Sequence, residues 1–171
     1  MNLRLVRPGI THERAVMDYL AEFRASGENH VNGSGGLHRF DSYADWLKSI
    51  GKTPPGEIAQ TTFLSYDGEK LVGAVAVRHG LSEQSARRAG HIGYSVRPSQ
   101  RRRGYGKAQL RLALDECARL GIERALITCA ETNIASAATI AAFGGVEDAS
   151  SVDDDGTVLR RFWVDTGRKK L

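Results

Sequence analysis

Apolar positions in the first fifty residues recur at helical spacing. Val16, Tyr19, Leu20 and Phe23 stand at i, i+3, i+4 and i+7 and predict a helix over residues 11–26, stopped at Ser26-Gly27. Tyr43, Trp46, Leu47 and Ile50 repeat the spacing and predict a second helix, with Asp41 as its cap. Between them residues 27–40 are glycine-rich and irregular, and Leu3 and Leu5 around Arg4 suggest a short leading strand. After the loop at Pro54-Pro55 the period changes. Residues 61–66 and 71–78 are β-branched and aromatic, and Asp67-Gly68 between them is a hairpin signal. Residues 79–89 read as a polar connection, and residues 91–97 as a third long strand.

The second half alternates element types. Leu110, Ala113, Leu114, Cys117 and Ala118 form one stripe on a helix that follows Gly104 and stops at Gly121. Residues 124–129 are a short apolar strand, expected to be central and to run parallel to a neighbour. Residues 133–143 form an alanine-rich helix ended by Gly144-Gly145. Residues 146–151 and 158–164, joined by a turn at 153–156, make a closing hairpin. The order β-αα-βββ-α-β-α-ββ implies an α/β (α+β) mixed sheet of about six to seven strands, with about four helices on its two faces.

A chain of 171 residues with 41% hydrophobic and 26% charged residues suits one domain over 1–171, with 167–171 as a solvated tail. No apolar run approaches the roughly 20 residues that span a bilayer, and residues 1–8 lack a signal-peptide core. A cytoplasmic protein with no membrane partner is expected. Cys117 and Cys129 make neither a disulfide framework nor a zinc set, so no metal is expected and both read as buried thiols. The net charge of +4 is unevenly spread: Arg97, Arg101, Arg102 and Arg103 cluster, as do Arg168, Lys169 and Lys170 at the end. The first cluster calls for an anion.

Its setting says which one. Around Arg101-Arg102-Arg103-Gly104-Tyr105-Gly106-Lys107 a strand ends and a helix begins. The first N–H groups of a helix lack internal partners and carry roughly half a positive charge, so a phosphate there accepts several hydrogen bonds at once. A Cβ at Gly104 or Gly106 would block that approach. A P-loop is excluded, because Ala108 follows Gly106-Lys107 and Arg101 stands where that motif needs glycine. A dinucleotide fingerprint is excluded by Gln109.

Arg101-x-x-Gly104-x-Gly106, preceded by Val96-x-Pro98, resembles the (R/Q)-x-x-G-x-(G/A) signature of the GCN5-related N-acetyltransferases. Asn133-x-x-Ser136, after the apolar strand, is similar to that family's second CoA-contacting motif, and the element order fits nearly the whole chain. Arg78-His79, the run from Gly90 to Tyr94 and Arg161-Phe162-Trp163 narrow the resemblance to a bacterial subgroup of acetyltransferases. The resemblance implies a mostly antiparallel sheet, acetyl-CoA as donor and a primary amine as acceptor. It implies that the backbone at Ser95 and Val96 pairs with the pantetheine arm. Residues 101–107, with Arg97, Arg101, Arg102, Arg103, Gly104, Tyr105, Gly106 and Lys107, would hold the pyrophosphate, and Asn133 and Ser136 would reach the pantetheine from the other side. It also allows a homodimer.

Ile140 stands where many members carry the tyrosine that protonates the leaving thiolate, so Tyr94 and Tyr105 become the substitutes. For the base, His91 comes first, since an imidazole titrates near neutrality and this one lies on the cleft strand. Glu28, in the loop expected to cover the acceptor, is second, and His79 is third. Residues 27–40, with Glu28, Asn29, His30, Asn32 and His38, suggest a small polar amine as acceptor. Three rivals stand beside this reading: a non-catalytic acyl-CoA sensor, a protein or peptide N-acetyltransferase, and a nucleic-acid binder. The last is disfavoured because no aromatic residues interleave the arginines.

Overall fold

A computed structural model describes residues 1–167; the end of the expected tail, with Arg168, Lys169 and Lys170, lies outside them. Seven strands form one sheet in the order β1-β2-β3-β4-β5-β7-β6. They are β1 (Leu3–Val6), β2 (Gln60–Asp67), β3 (Lys70–Arg78), β4 (Ile92–Val96), β5 (Arg124–Ala130), β6 (Val146–Val152) and β7 (Val158–Asp165). Every pairing is antiparallel except β4 with β5. The apolar strand β5 is indeed central and parallel to one neighbour, though β7 lies antiparallel on its other side.

The helices are α1 (Glu13–Ala25), α2 (Tyr43–Ile50), α3 (Glu83–Arg88), α4 (Tyr105–Arg119) and α5 (Ile134–Ala141). The stripe of α1 is fully inside: Val16, Tyr19, Leu20 and Phe23 are all buried. They pack with Trp46, Leu37, Leu64 and Ala74 on one face of the sheet. Leu110, Leu114 and Cys117 of α4 and Ile140 of α5 fill the other face against Val75, Ile92, Ile127 and Phe162. No helix among the described residues is long and apolar enough to cross a membrane.

Two local differences have plain causes. The cap of α2 is Ser42, not Asp41: the Ser42 oxygen accepts the Asp45 N–H three residues on, at 3.1 Å, a reach that Asp41 lacks. The polar connection contains α3, with Ser82 and Ser85 in a reciprocal capping box. None of its residues is buried, so no apolar period marked it.

Candidate active site

A gap opens in the middle of the sheet. β4 is bonded to β3 along its length, from Val77 opposite Ile92 to Gly73 opposite Val96. On its other side it meets β5 at Ile92 opposite Ile127, just after the His91 N–H donates to the Leu126 carbonyl at 2.6 Å. Beyond that point β5 continues with β7 alone. The Arg97 N–H donates to the Val72 carbonyl, so the main-chain groups of Gly93, Ser95 and Arg97 face β3. By alternation, those of Tyr94 and Val96 face the gap. Ser95 is therefore turned away from where the resemblance put it. Its carbonyl accepts from Gln109 Nε2 at 3.0 Å, and its hydroxyl joins Tyr19 Oη at 2.7 Å and the Asn32 carbonyl.

At the end of β4 the chain passes through Arg102, at φ 62°, and Gly104, at φ 84°, before α4 begins. A left-handed arginine costs about 1–2 kcal/mol. The helix's first acceptor is the Gly104 carbonyl, taken by the Ala108 N–H at 3.1 Å. The N–H groups of residues 102–107 thus find no acceptor among the described residues. A run of unpaired N–H groups at a helix start is a concave anion site. The two glycines serve different needs. Gly104 supplies the left-handed turn, and an added Cβ there meets only the Met1 Cε at 3.6 Å. Gly106 has no such conformation. Its Cβ would lie 3.8 Å from Tyr94 Cε2, 3.8 Å from Val96 Cγ2 and 3.9 Å from Thr139 Oγ1, in the space between β4 and α5. Neither packing nor backbone demands glycine at 106, so the open volume is what it preserves.

The arginines divide. Arg97 pairs with Glu22, which also accepts the Ser99 N–H at 2.6 Å. Burial pushes the Glu22 carboxyl upward, but Arg97 and Ser99 outweigh it and bring it down to about 2. Arg101 forms a fork on Glu28 at 2.7 and 2.8 Å and stacks 5.5 Å from the Phe23 ring. Those two charges are already answered. Arg102, Arg103 and Lys107, exposed beside the N–H run, pair with no carboxylate among the described residues. The side chain of Tyr105 leaves the cradle and donates to Asp67 Oδ2 at 2.7 Å, so only its N–H remains there.

Across the gap, α5 supplies the opposite wall. Asn133 caps it, accepting the Ser136 N–H at 3.0 Å. Tyr94 Oη lies 2.9 Å from Ser136 Oγ. A residue of β4 thus reaches the helix that carries Ile140, and burial holds its phenol protonated well above the ordinary range. Ile140 itself is sealed in the core.

A cavity of about 740 Å³ is lined by Tyr94, Ser136 and Cys129 together with Gly93, Ala76 and Arg78. Its roof is the loop between α1 and α2. A Schellman turn launches that loop, with Glu28 N–H on the Phe23 carbonyl at 3.0 Å and Gly27 N–H on Arg24 at 3.1 Å. Gly33 then docks it on β4, where any Cβ would stand 2.4 Å from the Gly93 carbonyl oxygen and 2.7 Å from Tyr94 Cα. His30 and His38 face each other at 4.4 Å between ring centroids. Asn32 Oδ1 lies 3.0 Å from His30 Nε2. An amide oxygen only accepts, so Nε2 is the donor in this bond, and in the neutral ring the lone pair of His30 lies on Nδ1.

The three sequence candidates for the base sit elsewhere. His91 is buried where β4 and β5 join, and its Nδ1 accepts the Leu126 N–H at 2.9 Å. Burial and Arg78 both disfavour its charged form. With one nitrogen so engaged, the other holds the proton and no basic lone pair is left. Glu28 is neutralised by Arg101, which holds its carboxyl below the usual range, and it faces the cradle end rather than the cavity. His79 Nε2 is bonded to Thr61 Oγ1 at 2.8 Å. The pattern of residues singled out none of His30, Arg78 or Gln109 for these roles. Gln109, spanning Ser65 Oγ and the Ser95 carbonyl at 2.9 and 3.0 Å, braces β4 beside the gap. A Cβ on Gly73 would strike its amide at 2.1 Å, a pairing that no local pattern along the chain marks.

Residues 20–144 match the model of the acetyltransferase (GNAT) family. No curated protein matches. Among solved structures, RimL, a ribosomal L7/L12 alpha-N-protein acetyltransferase in complex with coenzyme A, superposes with a TM-score of 0.75 at 16% identity, covering 99% of this chain and 97% of that one. RimJ of Mycobacterium smegmatis, in complex with CoA-disulfide, gives 0.74 at 18%, covering 95% and 81%. The spermidine N-acetyltransferase SpeG of Vibrio cholerae gives 0.67 at 15%, covering 98% and 96%. At these identities the superpositions speak for the fold.

Proposed function

The chain belongs to the acetyltransferase (GNAT) family, and from that premise we propose that it moves an acetyl group from acetyl-CoA to the primary amine of a small polar acceptor. The observation that carries this reading is the run of unpaired N–H groups at residues 102–107, opening onto the gap that Gly106 keeps clear. A diphosphate fits those donors, with Arg102, Arg103 and Lys107 adding charge. The main-chain groups of Tyr94 and Val96 line the β4 side, and Asn133 and Ser136 the α5 side. Acetyl-CoA, when bound, supplies the activated acyl group.

The residues of the chain then divide the proton work. The acceptor must attack as a neutral amine, although alkyl amines hold their proton until about pH 10. His30 Nδ1, the lone-pair nitrogen of the neutral ring, takes that proton. His38 beside it is kept from charging by burial, then by His30 and Arg39, so it does not compete as a cation. The gap-facing N–H groups stabilise developing negative charge on oxygen. Tyr94, protonated and bonded to Ser136, delivers a proton to the departing sulfur. Most of the acceleration comes from holding the two reactants together.

The test is CoA binding by calorimetry, followed by thiol release from acetyl-CoA over an amine panel with His30→Gln alongside. The wild type is expected to bind CoA and release thiol with at least one amine. The variant should keep CoA affinity and lose about 100-fold or more in rate. Binding without any amine-dependent release would mark a sensor and overturn the proposal.

A further inference from the structure

Arg78 has no part in the transfer just outlined, yet it lines the same cavity. It closes β3 opposite Gln60, and its side chain is partly sheltered from solvent. Its guanidinium donates to the Gly90 carbonyl at 3.3 Å, a marginal bond, and pairs with no carboxylate among the described residues. Burial alone weighs against its charge, with no acid offsetting it. A guanidinium stays protonated in proteins. Sheltering it unpaired is costly, and a forked planar donor matches a carboxylate or phosphate.

Of the other cations that line the cavity, Arg39 lies exposed on the roof loop and, like Arg78, pairs with no carboxylate among the described residues. Arg88 is already answered by Asp153, at 3.4 Å, and by Asp154. Asp155 is occupied by the Thr157 N–H at 2.9 Å. Of the two carboxylates lining the cavity Asp153 is paired with Arg88, and the sheltered Arg78 is left open to an anion. The position suits a single small molecule. Ala76 lies opposite Gly93, and Arg78 is two residues along the same strand, about 7 Å away. An amine at Gly93 and Tyr94 would leave the far end of a short acceptor within reach of Arg78.

We propose that the acceptor is a primary amine bearing an anionic group, carboxylate or phosphate, and that Arg78 binds that group. This rests on the acetyl-transfer reading. The test uses matched pairs with acetyl-CoA: 4-aminobutyrate against butylamine, and phosphoethanolamine against ethanolamine, with spermidine as a polycation. Binding of each to the CoA-loaded protein is followed in parallel by saturation-transfer NMR, so a poor substrate is still scored. The anionic member of at least one pair should be preferred, and which pair shows it separates carboxylate from phosphate. In Arg78→Gln the KM for that member should rise about 10- to 100-fold, with CoA affinity held and the preference within the pair lost. Arg78→Lys, which keeps charge but not the fork, should fall between. Equal treatment of both pairs, preference for spermidine, or a preference that survives Arg78→Gln would overturn the inference while leaving acetyl transfer intact. Absence of CoA binding in the wild type would instead bring down the reading beneath it.

Discussion

Substituting Gly106 by alanine should push stability and ligand affinity in opposite directions. The residue lies in the first turn of α4 without a left-handed φ, and the added methyl would meet its nearest protein atoms at 3.8 Å, an ordinary contact. The free protein therefore loses nothing in packing. It gains the entropy that glycine forfeits in a helix, about 0.5–1 kcal/mol at most so near the end. For a chain of this size that is a rise of about 1–4 °C in Tm. The same methyl fills the passage bounded by Tyr94, Val96 and Thr139 that a bound diphosphate and its arm must share. Losing one charge-assisted hydrogen bond there costs about 1.5–3 kcal/mol, or about 10- to 150-fold in Kd. Thermal denaturation without ligand and titration calorimetry with CoA measure the two effects separately. A Kd within twofold of wild type, or a variant less stable than its parent, would refute the assignment of this volume to the ligand. Gly104→Ala is the internal contrast: at φ 84° it should lose about 1–2 kcal/mol of stability outright.

Two further outcomes follow from the charges and the phenol. Glu22 titrates at about 2 against the usual 4.5. A carboxyl depressed in the fold contributes its stabilisation above 4.5 and loses it as pH falls toward 2. The full shift corresponds to about 3.4 kcal/mol, and partial exposure of the pair discounts it to about 1–3. Urea unfolding should find Glu22→Gln weaker by that amount at pH 7, with the difference shrinking between pH 4.5 and 3; a constant difference would contradict the pairing. Tyr94→Phe keeps the ring and removes the proton donor. Its kcat should fall about 10- to 100-fold with CoA affinity retained, and an unaltered kcat would exclude it as the acid.

Much of the architecture was legible along the chain because the core is continuous and periodic. The stripe of α1, the apolar run of β5 and the stripe of α4 are interior residues whose period alone names their element. The hairpin at residues 67–70 and the glycine stops are local chemistry, readable without knowing the partners. So was the run of unpaired N–H groups that opens α4, since such groups at a helix start follow from chain direction and from Gly104. The helix α3 was silent because it buries nothing.

What residue order alone could not decide was the partner of each polar side chain. Arg97 and Arg101 look like phosphate ligands until α1 and its Schellman turn bring Glu22 and Glu28 onto them. His91 looks like a base until the β4–β5 junction takes its Nδ1. His30, legible only as one of several polar loop residues, is oriented through its Nε2 contact with Asn32, and Arg78 becomes a sheltered cation only when the roof and the sheet enclose it. Periodicity reports which face of an element is dry, a property of one segment. Hydrogen bonds and charge pairs join segments up to 77 residues apart, as Ser99 to Glu22 does, and only the folded chain sets those distances.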